Sequence, residues 1–256
     1  TLFPYTTLFR STIKKGKYMI GLGTAINIGL IIAGSLCGLA FGRFMKENLK
    51  QTLMMVSGII VLLLGMSGAM QYMLVIVNST LQTTGPMLMI ISMVAGAIIG
   101  ELIDLNRWIT VFGDWVKAKT GNTGDPQFTH AFITASLTFT VGAMGVLGSI
   151  QDGLTGNYQT LLLKGILDGI IVMVMVSSMG KGALFSFIPV GITQWIITAM
   201  AHIAAPLMTP SAIDNLSYVG SILIFCVGID LIWPGKIRIA NLLPAIFVAM
   251  GLTFLL

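Results

Sequence analysis

Apolar runs of about twenty residues recur along the chain from Ile20 onward, with short polar segments between them. A helix rises about 1.5 Å per residue, so roughly twenty residues cross the hydrocarbon layer of a membrane. Strands of alternating polar and apolar residues do not recur, which favours helices over a β-barrel. The pattern predicts an all-α, polytopic transmembrane helix bundle of about eight spans, at residues 20–41, 53–77, 86–103, 132–150, 161–179, 183–204, 218–233 and 239–256.

Composition supports a membrane location for the whole chain. Of the 256 residues, 55% are hydrophobic and only 9% are charged, and the mean hydropathy is +0.94. A water-soluble domain of this length does not tolerate so much apolar surface, so the lipid bilayer is the first expected partner. The formal net charge of +5 lies in short loops, and it therefore does not indicate nucleic-acid binding.

Basic residues occupy alternate loops between the predicted spans. Basic loops stay in the cytoplasm, so the pattern predicts a multi-pass protein with both termini outside. The basic residues are Arg43, Lys46 and Lys50 in the first loop, Arg107, Lys117 and Lys119 in the third, Lys181 in the fifth, and Lys236 and Arg238 in the seventh.

The first eighteen residues contradict this charge pattern. Arg10, Lys14, Lys15 and Lys17 precede the first span on its predicted outer side. The segment TLFPYTTLFRS also resembles a translated sequencing-adaptor scar. We therefore expect residues 1–18 to be a non-native or disordered tail, Met19 to be the natural start, and residues 19–256 to form a single integral membrane domain.

The long third loop predicts a helix at about residues 104–119 that lies on the cytoplasmic leaflet. Apolar residues recur there at spacings of three and four, with Trp residues suited to the headgroup level. The alternative is a helix that binds a cytoplasmic partner. The stripe comprises Leu105, Trp108, Ile109, Phe112, Trp115 and Val116.

A faint internal repeat links two distant spans. LMMVSGIIVLLLGM from Leu53 aligns with LSYVGSILIFCVGI from Leu216. These segments are the second and seventh predicted spans, so they run in opposite directions. The match predicts an inverted repeat around a central helical hairpin, an arrangement found in many secondary transporters.

Lys164 and Asp168 in the fifth predicted span are the strongest site candidates. A charge deep in the hydrocarbon layer costs about 2.5–3.5 kcal/mol on insertion scales, so it usually pairs or lines a water path. The spacing of four residues stacks the two side chains on one helix face. Two interpretations stand: a structural ion pair, or a site where Asp168 exchanges Lys164 for a transported species.

Five further polar residues are candidates for the same pathway. Gln151 and Asp152 lie at the outer end of the fourth span, where glycines allow the helix to break before Asp152. A helix-end role or a place at the mouth of the pathway fits Asp152. Asn27, Gln194 and Asn241 lie deep in their spans, where amides either join helices by hydrogen bonds or bind solute. Pro244 follows Asn241 and frees a backbone carbonyl near it.

Other residues predict structural roles. The ladders Gly34, Gly38, Gly42 and Gly96, Gly100 predict helix contact faces, either within the chain or in a homo-oligomer. Cys37, Cys226, His130 and His202 have no metal-ligand spacing, so we expect no metal and no cofactor. Glu101, Asp104 and Asp230 lie near cytoplasmic ends of spans, where we expect solvated charges.

Several motifs resemble a bacterial membrane family, the YqgA/YdfK-like proteins of unknown function. They are GLGTAIN, the basic first loop, FITASLTFTVGAMGVLGSIQDGLTGNYQTLLLKGILDG and KIRIANLLPA, and the similarity runs from Met19 to Leu256. The resemblance implies a polytopic protein of the bacterial inner membrane. It assigns no substrate and no functional residue.

The sequence favours a transporter or channel for a small cation or small solute. The motivating features are intramembrane charge, Gly and Pro interruptions and the repeat. The alternatives are a membrane scaffold or sensor that acts through the cytoplasmic helix, and an intramembrane hydrolase that uses Asp152 and Asp168. The contexts of these aspartates lack the GxGD signature of intramembrane aspartyl proteases, so we expect no enzyme.

Overall fold

The computed structural model describes residues 19–77, 79–141, 143–207 and 209–254, and the predicted tail at 1–18 lies outside them. The chain is an all-α polytopic bundle with one small β-hairpin. Its helices are α1 Leu22–Gly42, α2 Glu47–Met73, α3 Pro86–Ile103, α4 Leu105–Lys119, α5 Phe128–Thr140, α6 Ala143–Thr155, α7 Gln159–Met179, α8 Phe187–Ala199, α9 Ala201–Ala204, α10 Pro210–Ile232, α11 Ile239–Leu242 and α12 Pro244–Leu252. Short 3₁₀ helices lie at Lys181–Ser186 and Ala205–Leu207.

Six helices in the described part of the chain are long and apolar enough to cross a membrane, or seven if the bent pair α5 and α6 is one span. The predicted eighth span at 239–256 is a shorter apolar helix, Ile239–Leu252. It is divided into α11 and α12 because Pro244 begins a new helix. The predicted count of eight spans is therefore not reached by helix length alone.

The second predicted span ends earlier than the sequence suggested. α2 stops at Met73, and β1 Leu74–Val77 pairs antiparallel with β2 Thr80–Thr83. Val75, Ile76 and Val77 are β-branched, which favours strands over helix. This hairpin marks one end of the bundle, which we call the hairpin end.

Helices α1 and α7 run parallel in close contact, because glycines remove the side chains between them. Gly34 faces the backbone of Gly169, and Gly38 faces that of Met173. A Cβ built on Gly34 would come within 2.1 Å of the Gly169 carbonyl oxygen. The predicted contact role of this ladder is confirmed, and the contact fixes α7 against α1.

Two antiparallel helix pairs complete the core. In α2 and α10, the two segments of the predicted repeat, Gly58 faces Leu231 and Gly68 faces Ser221. In the second pair, Gly96 and Gly100 of α3 face Ala245 and Asn241. Both predicted glycine ladders are thus occupied within the chain, so neither is free to pair with a second copy. The inverted repeat itself stays a prediction.

The surface of α3 shows the inside-out pattern of a lipid-facing helix. Its buried face carries small residues, Ser92, Gly96 and Gly100. Its exposed face carries Ile90, Val94, Ile98 and Leu102. Large apolar residues outside and small residues inside are typical of helices packed in lipid.

Basic residues gather at the end of the bundle opposite the hairpin, which we call the basic end. Arg43, Lys50 and Lys181 line one cavity with Asp125. Arg238 forms an ion pair with Glu101, with 3.1 Å between Nη1 and Oε2. Loops that are distant in sequence therefore present positive charge together.

The third loop forms helix α4 as predicted, but its apolar stripe divides into two faces. Val116 is buried in a cluster with Phe112, Phe128 and Phe132. Trp108 and Trp115 point away from the bundle and are exposed. A helix with one apolar face on protein and another outward suits the membrane interface.

The α1–α7 contact gives a stability prediction. Gly34→Ala forces the two backbones apart, so we expect a loss of about 1–3 kcal/mol in the free energy of unfolding. Gly29→Ala on the same helix is the matched control, because a Cβ there has no neighbour within 4 Å. Unfolding in detergent measures both variants. Equal stability of the two would contradict the described contact.

Candidate functional site

The predicted fourth span is broken in its middle. Helix α5 ends at Thr140, Val141 adopts an extended backbone, and α6 begins at Ala143. The axes of the two helices differ by 61°. The sequence suggested a break just before Asp152, but that residue lies within α6. The β-branched residues Thr138, Thr140 and Val141 weaken the helix at the observed position.

The Lys164 side chain forms its hydrogen bonds beside this break. Its Nζ donates hydrogen bonds to Asp168 Oδ2 and, at 2.9 Å, to the carbonyl oxygen of Phe139. The last carbonyls of a helix lack intrahelical partners and carry partial negative charge, so the end of α5 favours a cation. The predicted pairing of Lys164 with Asp168 is present, and a backbone oxygen completes it.

The ion pair lines a cavity of about 280 Å³ between α2, α5, α6, α7 and α10. Lys164 and Asp168 are 6% and 7% exposed, so both are buried but reach the cavity. Most of the wall is apolar. The other polar residues of the wall are Gln71, Tyr72, Thr138, Ser217 and Ser221.

A second cavity, of about 370 Å³, lies at the basic end of the bundle. His130 and Asp230 line it, and their Nε2 and Oδ2 atoms are 3.3 Å apart. Asp230 also accepts a hydrogen bond from Gly235 N at 2.8 Å. The expectation that Asp230 is a solvated charge is wrong, because it is 6% exposed.

The sequence missed the His130–Asp230 pair because the two residues are 100 positions apart. The available signal was a carboxylate inside the last turn of an apolar helix, where burial without a partner is costly. Helix α5 joins the two cavities. Thr138 and Phe139 line the first, and the second is lined by Thr129, His130, Ile133, Thr134 and Leu137.

Asp152 is fully buried and caps the first helix. Its Oδ1 accepts a hydrogen bond from Gly21 N and its Oδ2 one from Thr24 N, each at 3.2 Å. A carboxylate at a helix N-terminus satisfies free N–H groups and the local positive charge. Of the two predicted roles, the structure supports the helix-end role. Gln151 accepts from Thr160 Oγ1 at 2.7 Å and ties α6 to α7.

Asn27 and Gln194 lie close to the Lys164–Asp168 pair without lining its cavity. Asn27 Oδ1 is 3.1 Å from the position of a Cβ built on Gly165, next to Lys164. Gln194 Nε2 and Lys164 Cε both lie within 4 Å of a Cβ built on Gly145. Both side chains are buried, and their amide atoms have no hydrogen-bond partner among the described residues.

Asn241 lies away from this pathway. Its Oδ1 accepts a hydrogen bond from Asn106 N at 2.6 Å in the first turn of α4. This side-chain bond joins α11 to α4. The predicted role of a backbone carbonyl beside Pro244 stays a prediction.

The side chains of the described residues that could bind a metal ion are not clustered: no three His, Cys, Asp or Glu side chains among them lie close enough to hold one. Asp152 and Asp168 bind different donors: Asp152 accepts from the backbone at the start of α1, and Asp168 accepts from Lys164. The interaction that the site displays is an ion pair on the wall of a mostly apolar cavity.

Comparison with known proteins gives the family. The model of the family described as "Protein of unknown function (DUF554)" matches residues 22–254. The chain belongs to the DUF554 family. It is 27% identical over 235 residues to the uncharacterized membrane protein YdfK of Bacillus subtilis (strain 168), covering 91% of this chain and 96% of YdfK.

A second relative of this DUF554 protein is the uncharacterized protein YqgA of Escherichia coli (strain K12). It is 24% identical over 240 residues, which cover 91% of this chain and 96% of YqgA. The resemblance to the YqgA/YdfK-like proteins is thus confirmed. No solved structure matches the chain.

The cap by Asp152 gives a second stability prediction. Asp152→Ala leaves two buried N–H groups of α1 without an acceptor, so we expect a loss of about 1–3 kcal/mol in the free energy of unfolding. Asp152→Asn keeps one acceptor oxygen and loses less. Asp214→Asn, an exposed carboxylate at the same end, is the control. An Asp152→Ala variant as stable as the control would contradict the capping role.

Proposed function

We propose that this DUF554 protein is a transporter for a small ion or small solute, with the Lys164–Asp168 pair as its binding site. The protein lies in the bacterial inner membrane with both termini outside, so the basic end faces the cytoplasm. The protein is not an enzyme. The observation that carries the proposal is a buried ion pair that lines a cavity at the break of a bent helix.

The combination is more specific than a buried ion pair alone. An ion pair with only a structural role would need neither a cavity nor a broken helix beside it. The Lys164 ammonium instead donates hydrogen bonds to Asp168 of α7 and to the Phe139 carbonyl at the end of α5. Broken helices supply backbone oxygens to solutes at the midplane of many transporters.

The two cavities support alternating access. Along α10, Ser217, Ser221 and Ile224 line the first cavity, whereas Asp230 lines the second. Between them Val227 is fully buried in the central apolar cluster, together with Leu137 of α5. A layer of packed apolar side chains blocks water and ions. Movement of α5 at its break with α6 would shift Leu137 and offers a way to open this layer.

A scaffold or sensor role is the second candidate, and the exposed Trp108 and Trp115 of α4 favour it. The same exposure follows if the helix lies among lipid headgroups. The scaffold role gives no reason for the cavity at Lys164 and Asp168. A pull-down whose partner is lost with both Trp residues replaced would favour it.

Flux through liposomes tests the proposal. We expect currents or osmotic swelling when small ions and solutes are presented in turn to the wild type. Lys164→Met/Asp168→Leu removes both charges together, and apolar replacement of a buried pair is often neutral or stabilising by about 1–4 kcal/mol. We therefore expect this variant to fold and to lose flux.

The controls separate folding from transport. Asp168→Leu alone leaves Lys164 unpaired, so we expect it to lose about 3–5 kcal/mol of stability. Glu101→Gln changes an exposed carboxylate at the basic end and should keep wild-type flux. Unchanged flux in the folded double variant would reduce the pair to a structural role.

A further inference from the structure

The charge balance of the Lys164–Asp168 site restricts the ligand that it can accept. The pair carries one positive and one negative charge, and both side chains are buried. An uncompensated charge in such a position is strongly unfavourable. Any ligand that separates the two side chains must therefore replace the charge that each of them loses.

Singly charged ligands fail this condition. A cation that takes the Asp168 carboxylate leaves Lys164 with only the Phe139 carbonyl as a partner. An anion that takes Lys164 leaves Asp168 without a counter-charge. A ligand that carries both an ammonium and a carboxylate pairs with each side chain and keeps the site neutral.

Free hydrogen-bonding positions allow such a ligand to bind before the pair opens. The Lys164 ammonium has three donors, and two of them reach Asp168 and Phe139. The bond from Lys164 reaches Asp168 Oδ2, and a carboxylate offers a second acceptor oxygen, Oδ1. The third donor can bind a carboxylate while Oδ1 accepts from an ammonium.

The cavity wall indicates the rest of the ligand. Thr138, Ser217 and Ser221 line it, but each hydroxyl already donates to a carbonyl of its own helix. The donors of these three hydroxyls are therefore used, and Gln71 and Tyr72 are the other polar side chains of the wall besides the ion pair. Val61, Leu64 and Leu167 instead offer apolar contact.

From these observations we infer that the ligand is a small zwitterion of the α-amino-acid type with an apolar side chain. The inference rests on the proposed function and names the substrate class of the same site. The cavity volume of about 280 Å³ is at the lower end for small-molecule sites, which suits a single amino acid.

Binding to the wild-type protein tests this inference without any variant. The purified protein in lipid nanodiscs is titrated with L-alanine, L-leucine, methylammonium, acetate and Na⁺. We expect an amino acid to bind and the singly charged analogues to bind weaker by a factor on the order of 10 or more. Binding of methylammonium or Na⁺ as tight as that of the amino acids would overturn the inference.

Variants add a second measurement. Lys164→Met/Asp168→Leu should lose amino-acid binding by a factor on the order of 10 or more, while Glu101→Gln keeps it. Unchanged binding in the double variant would place the amino acid elsewhere. The phosphatidylethanolamine headgroup carries similar charges, so nanodiscs are made with and without that lipid. Competition by the lipid would assign the site to a lipid headgroup and overturn the inference that the ligand is a free solute.

The two proposals fail in different ways. Flux of a cation that depends on the Lys164–Asp168 pair, without amino-acid binding, would keep the transporter and overturn the zwitterion. Amino-acid binding that depends on the pair, without flux of any solute, would keep the zwitterion site and overturn the transporter. Absence of both amino-acid binding and flux would overturn both proposals.

Discussion

The structure at the centre of this protein depends on the need of one buried lysine for hydrogen-bonding partners. Lys164 lies among apolar helices, where its charge requires partners, and it finds one on its own helix and one at the end of α5. The Phe139 carbonyl is free only because α5 stops at Thr140. The helix break and the buried charge therefore stabilise each other: each satisfies a group that the other leaves unpaired.

Glycine contacts hold the surroundings of this pair in place. α7 carries both charges and is fixed on α1 through Gly34 and Gly169. α1 is in turn capped by Asp152, which belongs to α6. The two halves of the broken span thus contact the same helix pair: α5 bonds Lys164 of α7 through the Phe139 carbonyl, and α6 bonds the start of α1 through Asp152.

Local sequence patterns predicted those features of the structure that depend on residues close together in the chain. The helical class, the Lys164–Asp168 pair at a spacing of four, the glycine contact faces and helix α4 all follow from periodicity. The hydrogen-bond partners of Asp152 and Asn241 did not follow, because they are 128 or more residues away in sequence. The His130–Asp230 pair was missed for the same reason. The break was predicted about ten residues, or nearly three helical turns, too late, since glycines were given more weight than the β-branched residues before them.

Water access to the Lys164–Asp168 cavity tests the central claim most directly. In a chain with Cys37 and Cys226 replaced by alanine, Ser221→Cys places a thiol on the cavity wall, whereas Ser92→Cys places one in a sealed contact of α3. A water-soluble methanethiosulfonate is added outside liposomes that hold the protein. The account predicts labelling at position 221 and none at position 92. Equal protection of both thiols would show a sealed ion pair and contradict a solute site.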